Sequence, residues 1–302
     1  MHGQMSDSQS LESLCDDIRE AVANGRLDDA LQLVPPALEL AEREGDQTVV
    51  DRIRLSRGAI VVALGDGATV VPEMRRILMR STDRGNRFNA AYAISQHHRI
   101  IGDLDRSRFY ATTALSYAEA WNDASAIAKA HNDIANLELL SSYFEDAAQS
   151  YEKALEYLAD VDSADKAVML SNLGYCHTVL GRFDRGFSIL YNSMRLLRRL
   201  DAVHLRHLPM LGLAYAYMEI GRYDRAESHA RRALELADAA SYQDNQVKNA
   251  LYLLGEATKL AGDEDQAFEH FTHLQRRFYP DQPMIVDVLL STDIRKLINL
   301  MA

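Results

Sequence analysis

The chain has 302 residues, 47% hydrophobic and 25% charged, so it can bury a substantial core and is not expected to be disordered as a whole. Its 33 basic residues are outnumbered by 44 acidic ones, and the formal charge of -11 argues against general binding to nucleic acid or to anionic membranes. Only 6 prolines and 15 glycines are present, too few for a fold of many short strands. The good helix formers leucine, alanine, glutamate and arginine are plentiful, and the composition therefore predicts an all-α protein.

The predicted elements begin with a disordered N-terminal tail over residues 1–10. A helical array follows over residues 11–283, and residues 284–302 are predicted to form one amphipathic helix that caps the array. Pro35 and Pro36 fall inside the second helix of the array, where we expect a kink or a restart. The helices of the array are predicted near 11–24, 27–44, 47–64, 69–81, 85–101, 104–121, 124–141, 144–159, 164–180, 183–200, 204–220, 223–239, 243–261 and 264–278.

A short turn string recurs throughout the array. It reads glycine, any residue, a large apolar residue, an acid, any residue and a small residue, with clear copies at GRLDDA, GDLDRS, GRFDRG and GRYDRA. With the weaker copies the turn residues are 37 to 41 positions apart. The seven turn residues are Gly25, Gly65, Gly102, Ser142, Gly181, Gly221 and Gly262. A fixed period of this length is the signature of a repeat protein.

The positions around each turn are also periodic. Seven residues before the turn the side chain is small in six copies, at Gly58, Ser95, Ala135, Gly174, Ala214 and Gly255. Small residues also recur five and twelve residues after the turn, and the next position is usually leucine. Small residues at fixed helical spacing allow two helices to approach closely, while large ones fill the holes between pairs. Each unit is therefore predicted to be a helical hairpin.

This pattern resembles the tetratricopeptide repeat (TPR), most clearly over residues 213–240. Its period exceeds the usual 34 residues, as in the longer units of bacterial regulatory TPR proteins such as the quorum-peptide-responsive Rap proteins. The resemblance implies a right-handed superhelical α-solenoid of about seven hairpins. It also implies a non-enzymatic adaptor or scaffold that binds a protein or peptide segment on its concave side.

In such arrays the first helix of each hairpin lines the concave side, and stacking buries the other faces. The exposed positions should then follow a spacing of three or four residues along each first helix. They form a predicted partner-binding face at Asn89, Tyr92, Gln96, Arg99, Lys129, Asn132, Asn136, Asn172, Tyr175, Leu211, Tyr215, Tyr252, Glu256 and Lys259. Carboxamides donate and accept hydrogen bonds at once, which suits a peptide backbone, and tyrosines add apolar area.

The alternative to a binding face is that these residues are polar only because the helix face is solvated, and that some of the tyrosines pack between helices. Asparagine is nevertheless a poor residue for the middle of a helix, and its repeated use on one face favours recognition. Two other functions stay open. One is a ligand- or peptide-sensing domain of a bacterial signalling or transcription regulator. The other is nucleic-acid or acidic-partner binding through an arginine-rich convex face at Arg195, Arg198, Arg199, Arg231 and Arg232.

Signals for catalysis and for membranes are missing from the sequence. Neither G-x-x-x-x-G-K-[ST] nor H-E-x-x-H occurs, and Cys15 and Cys176 are too far apart to form a C-x-x-C pair. No apolar run approaches the roughly 18 residues of a membrane span, and the start lacks the pattern of a signal peptide. We therefore expect a cytoplasmic protein without enzymatic activity, metal or cofactor.

Overall fold

The computed structural model describes residues 10–239, 244–295 and 299–300, and over these ranges its regular secondary structure is entirely helical. The tail predicted over residues 1–10 lies outside the described residues except for Ser10, which caps the first helix. The chain divides into two compact units, Met1–Leu137 and Glu138–Ala302, here called unit 1 and unit 2. Among the described helices, none is both long and apolar enough to cross a bilayer.

Unit 1 contains three helical hairpins and most of a seventh helix, which ends just beyond the unit boundary. A short 3₁₀ turn, Gly67–Thr69, precedes the fourth helix. The helices are α1 (Leu11–Ala23), α2 (Leu27–Glu44), α3 (Gln47–Ala63), α4 (Val71–Arg80), α5 (Arg84–Ile100), α6 (Leu104–Trp121) and α7 (Ala124–Leu140). The α5–α6 hairpin and the start of α7 share one buried cluster that includes Ile94, Ala114 and Ala130.

After the end of α7, the described part of unit 2 begins with a single helix. Three complete hairpins and a short helix near the C-terminus follow it. The helices are α8 (Phe144–Glu156), α9 (Ala164–Val179), α10 (Phe183–Arg199), α11 (His207–Glu219), α12 (Tyr223–Asp238), α13 (Asp244–Ala261), α14 (Glu264–Phe278) and α15 (Ile285–Ser291). The first helices of its hairpins are neighbours, because α11 contacts both α9 and α13.

All seven predicted turn residues adopt the left-handed backbone conformation. The six glycines have φ between 73° and 90°, and Ser142 has φ 62°. An L-residue with a side chain pays about 1 to 2 kcal/mol in this region, which explains why glycine holds six of the seven places. After two of these turns an aspartate caps the helix that follows: Asp103 and Asp263 accept hydrogen bonds from backbone N–H groups.

The predicted small residues lie where the two helices of a hairpin touch. A Cβ atom added to Gly58 would lie 2.8 Å from Met74 Sδ, and one added to Gly174 would lie 2.6 Å from Leu190 Cγ. In the last hairpin, a Cβ atom on Gly255 would overlap the ring of Phe271. At these three positions the glycine therefore leaves room for a large, buried side chain of the following helix.

The two prolines do not interrupt the second helix. α2 runs without a break from Leu27 to Glu44 with Pro35 and Pro36 inside it, so the predicted restart is wrong. Both prolines are exposed, and the carbonyl groups that lose their intrahelical donors can bind water instead. Val34, Ala37 and Ala41 bury the opposite side and hold the helix in place.

The C-terminal region is not one helix over residues 284–302. α15 ends at Ser291, and Thr292 is extended, with φ -124° and ψ 136°. Thr292–Arg295, Asn299 and Leu300 are not helical, and we call the described part of residues 292–300 the C-terminal segment. Its contacts with the first helices of unit 2, described below, replace the helical hydrogen bonds that the amphipathic pattern predicted.

Candidate functional site

The predicted binding residues divide between the two units. In unit 1 they lie on α5 and α7, and all of them are half-buried. We call this set the unit 1 face: Asn89, Tyr92, Gln96, Arg99, Lys129, Asn132 and Asn136. In unit 2 they lie on α9, α11 and α13 and are almost all buried. We call this set the unit 2 face: Asn172, Tyr175, Leu211, Tyr215, Tyr252, Glu256 and Lys259.

The unit 1 face combines an aromatic part with a charged part. Tyr92 stacks on Phe88 with ring centroids 5.6 Å apart. Arg99 Nε lies 3.6 Å from Oδ1 of the fully buried Asp133, which also accepts a hydrogen bond from Ser95. Burial raises the pKa of Asp133, while Arg99 opposes that shift. These contacts join α5 to α7, the two helices that carry the unit 1 face.

One asparagine side chain in unit 1, that of Asn132, has an unused hydrogen-bond acceptor. The amide oxygen of Asn132 is buried and has no hydrogen-bond partner among the described residues. Since a buried acceptor without a partner is costly, a ligand N–H group that reached this oxygen would be bound favourably. The unit 1 face can therefore offer a polypeptide both an acceptor and apolar area.

The unit 2 face differs from the sequence expectation, which had these side chains open to solvent. Tyr175 and Tyr215 lie side by side with ring centroids 5.6 Å apart, and their exposed fractions are 4% and 7%. Asn172 donates to the Tyr151 hydroxyl at 3.1 Å and so also joins α9 to α8. Burial raises the pKa of Tyr215 to about 12 and raises that of Tyr175 as well. These helices therefore share one face, and part of the chain covers it.

The cover is the C-terminal segment, and the face holds it largely by its backbone. The N–H group of Leu300 donates to the Tyr175 hydroxyl at 3.2 Å, and the carbonyl oxygen of Leu300 accepts from the Asn249 side chain. Asn299 donates to the carbonyl oxygen of Leu139 at 2.6 Å, at the end of α7. Leu300 is itself buried. Side chains of the first helices thus bind both the backbone N–H and the backbone C=O of Leu300, as in peptide recognition.

Lys259 binds the beginning of the same region. Its Nζ donates to the carbonyl oxygens of Leu289 at 2.7 Å and Thr292 at 3.2 Å. These oxygens belong to the end of α15, where a cation is favourable because the last carbonyl groups of a helix carry negative partial charge. Lys259 Nζ also lies 2.7 Å from Glu256 Oε2. Lys259, a predicted site residue, therefore binds the C-terminal end of α15 and also forms an ion pair within the unit 2 face.

Arg295 of the C-terminal segment enters an acidic part of the face. Its guanidinium lies 3.5 Å from Glu219 and 3.8 Å from Glu256, and it forms a closer pair with Asp293 at 2.6 Å. The hydrogen bond from Arg295 lowers the pKa of Asp293 to about 2. Glu256 is fully buried, and this burial raises its pKa while Lys259 and Arg295 lower it. The acidic pair Glu219 and Glu256 selects a cation here.

A cavity of about 300 Å³ remains between the C-terminal segment and α13 to α15. Its lining is mainly apolar and includes Tyr252, Leu274, Val288, Ile294 and Leu300. Tyr252 is 5% exposed, and its hydroxyl has no hydrogen-bond partner among the described residues. The segment therefore covers the face without filling it.

Sequence reasoning placed the position of Glu219 on the exposed line of its first helix but did not name it as a binding residue, and it missed Arg295. Glu219 falls two residues before its turn on α11, and its partner Arg295 lies in the region predicted as a capping helix. The only sequence signal that linked these two residues was their opposite charge, and many other pairs of residues in the chain are oppositely charged. The arginines of the proposed second interface are exposed on α10 and α12, but Arg199, Arg231 and Arg232 form ion pairs with neighbouring acids. These pairs weaken the positive field that nucleic acid would require.

Comparison with known proteins establishes the fold. No protein-family model matches the chain, and no curated protein is similar to it in sequence. Solved structures do match. Rap protein complexed with competence and sporulation factor has TM-score 0.70 at 12% identity, covering 95% of this chain and 79% of Rap.

Two further structures give the same result. NprR in complex with its cognate peptide NprX has TM-score 0.66 at 12% identity, covering 93% of this chain and 81% of NprR. The signal transduction ATPase PH0952 from Pyrococcus horikoshii, which has a tetratricopeptide repeat sensor, has TM-score 0.67 at 15% identity. That match covers 96% of this chain but 46% of PH0952. The chain thus has a TPR-like fold of helical hairpins, which confirms the resemblance predicted from its turns.

Proposed function

We propose that the protein is a non-enzymatic interaction module that binds a peptide or an extended protein segment on the first helices of its hairpins. The observation that carries the proposal is that first helices of unit 2 already hold a non-helical stretch of polypeptide, the chain's own C-terminal segment, by hydrogen bonds to its backbone. Two proteins of similar fold have been solved as complexes, Rap with competence and sporulation factor and NprR with its cognate peptide NprX.

The geometry explains how such a face binds many sequences. Backbone N–H and C=O groups occur in every peptide, so side chains that bind them recognise an extended chain first. The aromatic rings on each face then supply apolar area at a small cost in conformational entropy. In unit 1 the half-buried asparagines of α5 and α7 offer the same chemistry to a partner.

The experiment compares peptide binding by the full chain and by a double variant of the unit 1 face. An array of synthetic peptides identifies those that bind the wild-type chain, and their affinities are then measured by fluorescence anisotropy. In Asn89→Ala/Asn132→Ala we expect affinity to fall by about thirtyfold, because two hydrogen bonds worth about 1 kcal/mol each are lost.

The matched control is Asn192→Ala, which removes an exposed asparagine from the second helix α10. This variant should bind the same peptides with unchanged affinity. If the double variant binds as tightly as the control, the unit 1 face is not the binding surface.

A further inference from the structure

We infer that the C-terminal segment is a built-in competitor for the unit 2 face. The partner that displaces it is a peptide with a basic residue for Glu219 and Glu256 and a large apolar side chain for the cavity beside Tyr252. This inference rests on the proposed function and names its ligand. It assigns a regulatory role to residues 292–300.

The contacts of the segment show that the face is able to exchange it for another chain. Tyr175, Asn249 and Lys259 all bind backbone atoms of the C-terminal region rather than its side chains. A peptide of different sequence can form the same three kinds of hydrogen bond. Selection between ligands must therefore come from the side chains that enter the acidic pair and the cavity.

The charge of the face specifies one of those side chains. When Arg295 leaves, it takes Asp293 with it, so Glu219 loses its ion-pair partner and Glu256 keeps Lys259. Glu256 is fully buried, so a second cation is needed to balance the two carboxylates in this poorly solvated place. A ligand without a basic residue at this position would leave one buried negative charge uncompensated.

The cavity specifies the other side chain and explains why the segment can be displaced. The segment leaves about 300 Å³ unfilled and the Tyr252 hydroxyl without a partner. Atoms that line an empty space lack the dispersion contacts that a filled one would supply. A ligand that places a large apolar group there gains contacts that the chain's own segment does not make.

Tethering sets the balance between the segment and a partner. A segment joined to its site by a short linker has an effective concentration in the millimolar range, so a partner of equal intrinsic affinity binds weakly until the segment is released. Weakening the segment should therefore strengthen binding from solution. This is the reverse of what the loss of a direct ligand contact would do.

The test uses the full chain and a fluorescent synthetic peptide with the sequence of residues 284–302. In the variant Arg295→Glu the segment carries a negative charge toward Glu219 and Glu256 and should be expelled. We expect this variant to bind the labelled peptide at least about tenfold more tightly than the wild-type chain does. A second labelled peptide with glutamate in place of its arginine should bind neither protein.

The matched control is Arg195→Glu, the same charge reversal at an exposed position on α10, and it should bind the peptide as weakly as the wild type. The milder variant Asn299→Ala removes the hydrogen bonds to Leu139 and Ser142 and should give a smaller gain, so the test survives if Arg295→Glu misfolds.

Three results would overturn the inference in different ways. Equal affinity of wild type and both segment variants would remove the competition but leave peptide binding intact. Tight binding of the glutamate peptide would remove the role of the acidic pair. Binding by no variant would remove the unit 2 face as a peptide site, while the unit 1 array experiment would still decide the proposed function.

Discussion

Burial of uncharged histidine makes the protein sensitive to mild acid. His207 begins α11 and is 1% exposed, and burial lowers its pKa to about 4 from an ordinary value of 6.5. Burial also lowers the pKa of His177 and of the adjacent pair His97 and His98. In each case the folded protein resists a proton that the unfolded chain accepts.

The substitution His207→Gln tests this at one position. Because the folded pKa lies below the unfolded one, the unfolded chain binds more protons between pH 6.5 and pH 4, and stability falls as the pH drops through that range. Relative to the variant, the wild type should lose up to about 3 kcal/mol of unfolding free energy between pH 7 and pH 4. Urea unfolding at a series of pH values measures the difference.

The matched control is His273→Gln, which makes the same replacement at an exposed histidine on α14. If His207→Gln and His273→Gln gave the same profile, the acid sensitivity would not arise from the buried imidazole.

Residue-scale signals were sufficient to predict the turns. Glycine is favoured where φ is positive, and the sequence placed every one of the seven turns correctly even where Ser142 stands in place of glycine. The burial of Asn172 could not be predicted in this way. Its partner, the Tyr151 hydroxyl, lies 21 positions away on another helix, and no local pattern links the two residues.

At the scale of the hairpin, close approach of two helices depends on one residue without a side chain. Gly255 in α13 faces the ring of Phe271 in α14, and Phe271 is fully buried. There is no room for a methyl group unless the ring moves, and the densely packed interior resists such movement.

The substitution Gly255→Ala should therefore lower the free energy of unfolding by about 1 to 3 kcal/mol. In a Phe271→Leu background the smaller side chain relieves the overlap, and the same substitution should cost less. Chemical unfolding of the four proteins of this double-mutant cycle gives the coupling energy. A coupling energy of zero would show that the Gly255 position is not limited by Phe271.

Helix extents were predictable where the ends carry local signals, and not where a distant contact decides. Most ends agree within a few residues because glycine turns and capping side chains mark them. The prediction over residues 284–302 was wrong because the amphipathic spacing of that stretch suits a helix. Lys259 and Arg295 instead hold non-helical residues of the C-terminal segment by contacts with other helices of unit 2. In α2 the local signal was misleading as well. The helix continues through two prolines because the residues buried on its opposite side hold it in place.

For the whole molecule, the division into two units predicts that loss of the C-terminal segment has a local effect. In arrays of repeats each element is stabilised mainly by its neighbours. The segment contacts Tyr175 and lines a cavity with Tyr252, and both tyrosines are buried residues of unit 2. The capping role expected for the C-terminal region is therefore predicted to stabilise unit 2 alone.

A chain that ends at Ser291 should show faster amide hydrogen exchange in α9, α11 and α13. The lost hydrogen bonds and apolar cover should reduce the local unfolding free energy by roughly 2 to 4 kcal/mol. Hydrogen exchange with mass spectrometry resolves these helices, and α1 and α3 of unit 1 serve as the internal reference. Uniform change in both units, or no change in α9, would contradict the assignment.

The hydrogen bond from Leu300 to Tyr175 joins residues 125 positions apart, whereas each hairpin closes within about forty. Contacts that are near in sequence form sooner than distant ones, and a protein emerges from the ribosome beginning with its N-terminus. The hairpins of unit 2 can consequently assemble during translation while residues 292–300 are still inside the exit tunnel. In the proposed competition, Tyr175 and Tyr215 are therefore open to a partner until the C-terminal segment leaves the ribosome.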